Sequence, residues 1–158
     1  MDDLECIAEA GQDPRIPAGT TVPAEFSASA GRAFIERQLS RLDNGEGISL
    51  AIEANESGRA VGLVVMMLRP QPGVIGIGYW VIPSARNRGS ATAAATVAST
   101  WAITDGGFAR IEAWVDPDNT ASQLVLSAAG FEKEGRLRSF LTTGPRRSDA
   151  FVYSRVTS

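Results

Sequence analysis

Histidine is missing from the 158 residues, and cysteine occurs once, as Cys6. Without an imidazole, every Ser-His, Cys-His and His-metal site is excluded. One thiol makes neither a thiolate zinc site nor an internal disulfide. No metal is expected, and the chemistry is left to carboxylates, hydroxyls, backbone amides or a bound cosubstrate. A lone cysteine fits a reducing compartment, which points to the cytoplasm. Positive charge is also scarce: 15 Lys and Arg against 18 Asp and Glu give a net charge of -3. Phosphate affinity rests on an excess of clustered basic residues, so nucleic acid is not an expected partner. No run of eighteen or more apolar residues occurs, and Met1-Asp2-Asp3-Leu4-Glu5 is acidic where a secretory signal would be basic. Neither a membrane partner nor export is expected.

What is present suits one domain with one core, at 44% hydrophobic residues. Residues 2 to 10 fit a short helix. A connection punctuated by Pro14, Pro17, Gly19 and Pro23 leads to a second helix at about 27 to 43, with Ile35, Leu39 and Leu42 as its apolar stripe and Phe34 alongside. Strand-like runs at 48 to 53, 60 to 68 and 74 to 82 are separated by Asn55-Glu56-Ser57-Gly58 and Arg69-Pro70-Gln71-Pro72-Gly73, which suit an antiparallel meander. Ser90 to Thr104 carries Ala94, Val97, Ala98 and Trp101 at helix spacing and is closed by Gly106-Gly107. A strand at 111 to 115 follows, then a helix at 119 to 129 with Ala121, Leu124, Val125 and Ala128 on one face and Gly130 as its cap. Strands at 133 to 141 and 150 to 156 complete the set. The order β-β-β-α-β-α-β-β implies an α/β (α+β) chain with a mixed, mostly antiparallel sheet of about six strands and helices on both faces.

Between a buried strand and an alanine-rich helix lies Arg86-Asn87-Arg88-Gly89-Ser90-Ala91. A helix N-terminus offers unpaired amides and roughly half a positive charge, so a small-residue turn leading into it suits a phosphate. Gly89 allows close approach, Ser90 and Ala91 remove bulk, and Arg86 and Arg88 add charge. The stretch is neither a Walker A loop nor the three-glycine dinucleotide turn. Taken alone it is equally well an ordinary turn, because such a pattern arises by chance in about one chain in ten of this length.

Gly78-Tyr79-Trp80-Val81-Ile82-Pro83 precedes the turn. Val115-Asp116-Pro117-Asp118-Asn119-Thr120-Ala121-Ser122 and Ala129-Gly130-Phe131-Glu132-Lys133-Glu134-Gly135 follow it. With these motifs at this spacing the chain resembles the GNAT acetyltransferase superfamily, and within it the ribosomal-protein N-acetyltransferase-like branch. The likeness covers residues from about 27 to 156. It implies an enzyme that moves an acetyl group from acetyl-CoA to a primary amine by direct attack on the thioester. By the same resemblance Tyr79, Trp80 and Val81 would meet the pantetheine arm. The amides of Asn87, Arg88, Gly89, Ser90, Ala91 and Thr92, flanked by Arg86, would meet the pyrophosphate. Asn119 would touch the CoA arm or, on local sequence, cap its helix.

Acetyl transfer to an amine needs a neutral nucleophile, a donor for the developing oxyanion and a proton for the departing thiolate. The resemblance gives the oxyanion to the backbone N–H of Val81. It gives the proton to Ser122, whose plain alternative is a small residue in a first helical turn; Tyr153 is the second candidate. A base is not supplied: Leu141 stands where some relatives have a glutamate, and Leu126 where others have a tyrosine. Glu112 is the remaining carboxylate near the motifs, and Trp114 is a candidate for lining the acceptor pocket, while Trp80 and Trp101 read as core. Arg136, Arg138, Arg146 and Arg147 read as a solvated basic face near the last hairpin. The family's first strand has no counterpart before the first helix, so either the start is truncated relative to the family or the sheet lacks that strand. A missing strand leaves an edge that a second copy could cover, which favours a homodimer. The rival class is an acetyl-CoA-binding module with little or no turnover.

Overall fold

In the computed structural model, which describes residues 3–55 and 57–157, helices come first. They are α1 (Asp3–Gln12), α2 (Arg15–Gly19) and α3 (Ala28–Asp43). The strands β1 (Gly47–Ala54), β2 (Arg59–Leu68) and β3 (Val74–Val81) follow, then α4 (Ser90–Thr104), β4 (Arg110–Val115), α5 (Thr120–Ala128), β5 (Glu132–Thr143) and β6 (Arg146–Val156). The strands form one six-stranded sheet in the order β1-β2-β3-β4-β6-β5. β3 and β4 are parallel, and β6 runs antiparallel to both β4 and β5, which makes the sheet mixed as expected. Residues up to Val65 together with Tyr79–Ala91 make one compact unit; Met66–Gly78 and Thr92 onward make another.

In the first unit, α1 carries Asp3 and Glu5 in its first turn, where a helix dipole favours negative charge, and it buries Cys6, Ile7 and Ala10. The expected start of this helix at residue 2 lies outside the described residues. α2 has no counterpart in the sequence expectation, which reads this proline-rich stretch as a connection. It forms because Pro17 sits in the first turn, where no backbone N–H is needed, and because the Asp13 carboxylate accepts from the Arg15 backbone N–H at 3.0 Å. α3 is capped by Ser27, whose hydroxyl accepts from the Ala30 N–H at 3.1 Å. Its buried face is Gly31, Phe34 and Gln38, not the stripe Ile35, Leu39 and Leu42; Leu39 is 70% exposed. Two local facts select the other stripe. A Cβ on Gly31 would meet Leu4 Cδ2 at 2.7 Å and Phe26 Cε2 at 2.9 Å, so the helix comes in close there. Gln38 is buried because its side-chain oxygen accepts from Ser49 at 2.9 Å and from Arg41 at 3.1 Å.

In the second unit, α4 seats Ala95, Ala98, Ser99 and Ala102 inward. Val97 and Trp101, expected on the core face, point outward, and Trp101 is 43% exposed. Small residues let the helix backbone lie close to its neighbours, and Ser99 accepts from Arg155 Nη1 at 2.8 Å. α5 buries Leu126 completely and leaves Leu124 out, a further departure from the expected face. Gly130 does end α5, at φ +84°, with Phe131 N–H bonded to Leu126 O at 3.0 Å. β5 and β6 are longer than expected and meet in a tight turn at Gly144, φ +59°. Between the pairs Leu137↔Ala150 and Leu141↔Ser148 the ladder is irregular. Ser139, at φ +51°, bulges there. Asp149 holds it by accepting the Ser139 N–H at 2.7 Å, and Arg147 Nε donates to its carbonyl at 3.1 Å.

Candidate active site

β3 leaves the sheet through a sharp turn. Pro83 opens a single turn of 3-10 helix, Pro83–Ala85, and the Arg86 N–H bonds back to Pro83 O at 3.3 Å. Asn87 then has φ +60° and Gly89 φ +78°, with Arg88 between them on the ordinary side. Alternating hands of this kind turn successive amides toward one side and make an anion-binding concavity. The backbone N–H groups of residues 87–91 donate no hydrogen bond among the described residues. A Cβ on Gly89 would meet nothing within 4 Å. Five amides, open space and the start of α4 thus coincide at the predicted cradle.

The arginines of this loop divide. Arg86 is committed to the fold: Nη2 pairs with Asp13 at 2.7 Å, and Nε donates to Val81 O at 3.1 Å. Asp13 is nearly buried, and the guanidinium of Arg15, followed by that of Arg86, holds its carboxyl well below the usual range. Arg88 is exposed. A groove of about 800 Å³ beside Pro83 and Arg86 is lined by Glu5, Glu9 and Asp13, the wrong sign for a phosphate. Its carboxylates are already engaged, Glu5 by Arg59 at 3.1 Å and Glu9 by the Ser84 N–H at 2.8 Å. Cys6, buried under α1, has its thiol pushed up to about 12 by burial and then by Asp3 and Glu9, so it supplies no thiolate.

At the end of β3 the backbone directions are fixed by β2. Ile82 N–H donates to Val61 O at 2.9 Å, and the Trp80 carbonyl lies so near Gly62 that a Cβ there would meet it at 2.2 Å. Both therefore face β2, and strand alternation turns the Val81 N–H to the opposite edge. The ladder between β3 and β4 covers Val74–Gly76, so Val81 lies beyond it. The Trp80 side chain is buried against Phe34, with ring centroids 6.5 Å apart. Tyr79 is half-buried beside it.

In the second unit, Asn119 caps α5: its side-chain oxygen accepts from the Ser122 N–H at 3.1 Å. Asp116 shapes the turn before it. Burial works to raise this carboxyl, but the Ser148 hydroxyl at 2.6 Å, the Asp118 amide and the Arg146 charge outweigh it and hold it low. Ser122 is half-buried in the first turn of α5. Tyr153 is buried, and its hydroxyl donates to Gln123 Oε1 at 3.4 Å; Gln123 is fixed in turn to Pro117 O at 2.9 Å. Thr92, in the first turn of α4, is half-buried, as are Ser90 and Ala91.

Glu112 and Trp114 share one face of β4. Glu112 is not a free base: its two oxygens face Arg69 Nε and Arg110 Nε, each at 3.3 Å. Trp114 is partly exposed, with the edge of Phe140 against it at 4.7 Å and 84°. Its face is covered by the Arg69 guanidinium, 3.9 Å from the ring centroid. Arg69 and Asp13 carry no sequence signal and escape a reading of the chain. The nearest hint is Gly76 inside a strand, since glycine there marks a close approach. The cationic face near the last hairpin is largely paired, Arg136 with Asp149 at 2.5 Å and Arg146 with Asp118 at 3.0 Å.

Comparison with known proteins places this geometry in a family. Over 155 residues the chain is 24% identical to the uncharacterized N-acetyltransferase p20 of Bacillus licheniformis, covering 98% of this chain and 87% of that protein. Among solved structures it superposes on Mycobacterium smegmatis RimJ in complex with CoA-disulfide, with a TM-score of 0.80, 23% identity and coverage of 98% and 78% of the two chains. The microcin C7 self-immunity acetyltransferase MccE, in complex with acetyl-CoA and AMP, gives a TM-score of 0.82 at 22% identity, over 96% and 84%. The profile of the acetyltransferase (GNAT) domain matches residues 1–132. With most of its length matched by that profile, the chain belongs to the GNAT acetyltransferase family.

Proposed function

We propose that this N-acetyltransferase uses acetyl-CoA and holds its pyrophosphate on the backbone amides of Asn87, Arg88, Gly89, Ser90, Ala91 and Thr92. The observation that carries the reading is the set of unengaged N–H groups at 87–91 beneath two left-handed residues, Asn87 and Gly89. Bound acetyl-CoA supplies an activated acetyl thioester; everything else falls to the chain. The backbone edge of Tyr79, Trp80 and Val81 aligns the pantetheine arm, and the Val81 N–H donates to the thioester oxygen as it gains charge. As the C–S bond breaks, Ser122 gives its hydroxyl proton to the departing sulfur and is reprotonated from water, with its amide fixed on Asn119. Trp114 and Glu112 line the acceptor side, Glu112 as a fixed charge between two arginines and not as a base. The acceptor is an amine of low basicity, such as a protein α-amine.

Calorimetric titration with CoA, followed by thiol release from acetyl-CoA in the presence of an α-amino peptide, tests the proposal. Binding with acceptor-dependent thiol release is expected, and absence of CoA binding overturns it. We extend the proposal to a cytoplasmic homodimer paired through β1, an edge of the sheet that exposes Leu50. Light scattering that gives a monomer at every concentration removes the dimer.

A further inference from the structure

β2 ends at Leu68, and the next residue turns its side chain back over the sheet instead of into solvent. Arg69 is only 15% exposed. Gly76 provides the space, since a Cβ there would meet Nη2 at 2.3 Å, Cζ at 2.5 Å and Nε at 2.7 Å of the guanidinium. Trp114 lies against the cation at 3.9 Å, and Phe140 holds the indole from its edge at 4.7 Å. Glycine on one side and indole on another fix the plane of a group that is otherwise mobile.

The ionic partners of Arg69 are incomplete. Nε approaches Glu112 Oε1 at 3.3 Å, yet this buried nitrogen has no aligned hydrogen-bond acceptor. Glu112 turns its other oxygen to Arg110, which itself grips Glu134 at 2.9 and 2.6 Å. Neither Nη group of Arg69 donates a hydrogen bond among the described residues. A residue kept only to neutralise Glu112 would turn its two-pronged end toward that carboxylate. Here the prongs are held flat on an aromatic plane with their donors unmet, the arrangement that suits two oxygens of one carboxylate.

We infer that Arg69 anchors a carboxylate of the acceptor, so the amine substrate is anionic: a peptide with Asp or Glu as its N-terminal residue. The inference rests on the reading of Trp114 and Glu112 as the acceptor side. A polycationic amine would meet a fixed guanidinium of its own sign and is a poor acceptor.

The test uses the full chain saturated with CoA and reads binding by calorimetry for one matched pair, an Asp-Ala-Ala amide against its Asn counterpart. The wild type is expected to prefer the acid member by about tenfold or more. Arg69→Gln erases that preference while leaving CoA affinity unchanged, and Arg69→Lys retains part of it. If Arg69→Gln does not fold, Arg69→Gln with Glu112→Gln removes the stranded charge and serves instead. Equal binding of acid and neutral members by the wild type, or an unchanged preference in the variant, overturns the inference. Because binding is measured, a preference without any thiol release counts against acetyl transfer and not against the anchor.

Discussion

Replacing Gly89 by valine separates a backbone cradle from an arginine cradle. At φ +78° a side chain is strained, though its Cβ would meet nothing within 4 Å. The folding penalty is therefore conformational, about 2 kcal/mol for a β-branched residue. For a domain of this size that lowers Tm by roughly 4–8 °C. Relaxing the strain turns the amides away from their common side, and the loss of one or two charge-assisted hydrogen bonds, at about 1.5–3 kcal/mol each, weakens CoA binding by about tenfold to several hundredfold or more. Arg86→Ala is the contrast. It removes a 2.7 Å ion pair to Asp13 and a 3.1 Å bond to Val81 O, while Asp13 keeps its bonds from Arg15 at 3.0, 3.1 and 2.9 Å. Thermal melts without ligand and calorimetric titration with CoA read both variants. The expectation is a large affinity loss for Gly89→Val, and for Arg86→Ala a drop in Tm with less than about threefold loss of affinity. A larger affinity loss for Arg86→Ala would refute the backbone cradle.

Three further outcomes are expected. Ser122→Ala keeps the backbone N–H that Asn119 accepts, and kcat should fall roughly a hundredfold; an unchanged kcat in steady-state assays removes Ser122 as proton donor. Asn119→Ala loses that cap and should lower stability by about 1 kcal/mol in urea melts, whereas Asn119→Asp should not. Glu134 is held down from 4.5 to about 2 by its bonds from Arg110 and then Ser154. A depressed carboxylate stabilises the fold above its unfolded value and loses that contribution as pH falls from about 4.5 toward about 2. Glu134→Gln should flatten this limb of the acid-unfolding curve, and an identical limb would count against the pairing.

The sequence is most legible where backbone chemistry is local. Gly130 at φ +84°, Gly73 at φ +74° and the span Ser90–Thr104 follow from turn and helix rules that need no tertiary partner. Helix faces are not legible. In α4 nearly every residue is small or apolar, so no angular pattern tells the alanine side from the side of Val97 and Trp101, and close approach of the backbone decides it. In α3 a polar residue, Gln38, is buried because Ser49 and Arg41 meet its oxygen, a compensation invisible in one dimension. The site divides in the same way. The turn at residues 86–91 can be read because glycine and small residues mark it. Glu112 and Trp114 can be named from the motifs, but their pairing with Arg69 cannot, because they stand 43 and 45 residues from it in the chain.

Without a base from the chain, the acceptor's own basicity would decide what can be acetylated. Glu112 is the remaining carboxylate near the motifs, and its two oxygens are taken up by Arg69 and Arg110, each at 3.3 Å. Leu126, at one of the family's usual acid/base positions, is fully buried, and Leu141, at the other, has no titratable group. With water as the acceptor of the proton, the amine must already be neutral. A lysine-type amine near ~10.4 is roughly 0.1% neutral or less at pH 7, whereas an α-amine near ~7.8 is on the order of 10–15% neutral. The preference for α-amines over lysine side chains at neutral pH should therefore be on the order of a few hundredfold from protonation alone. A rate on lysine faster than on α-amines would mean that the enzyme supplies a base after all. It also follows that kcat/KM should rise about tenfold per pH unit up to the pKa of the acceptor, and that this inflection should move when the acceptor is changed. An inflection that stays near pH ~6–7 for every amine would instead belong to a group of the protein, and water could no longer be the proton acceptor.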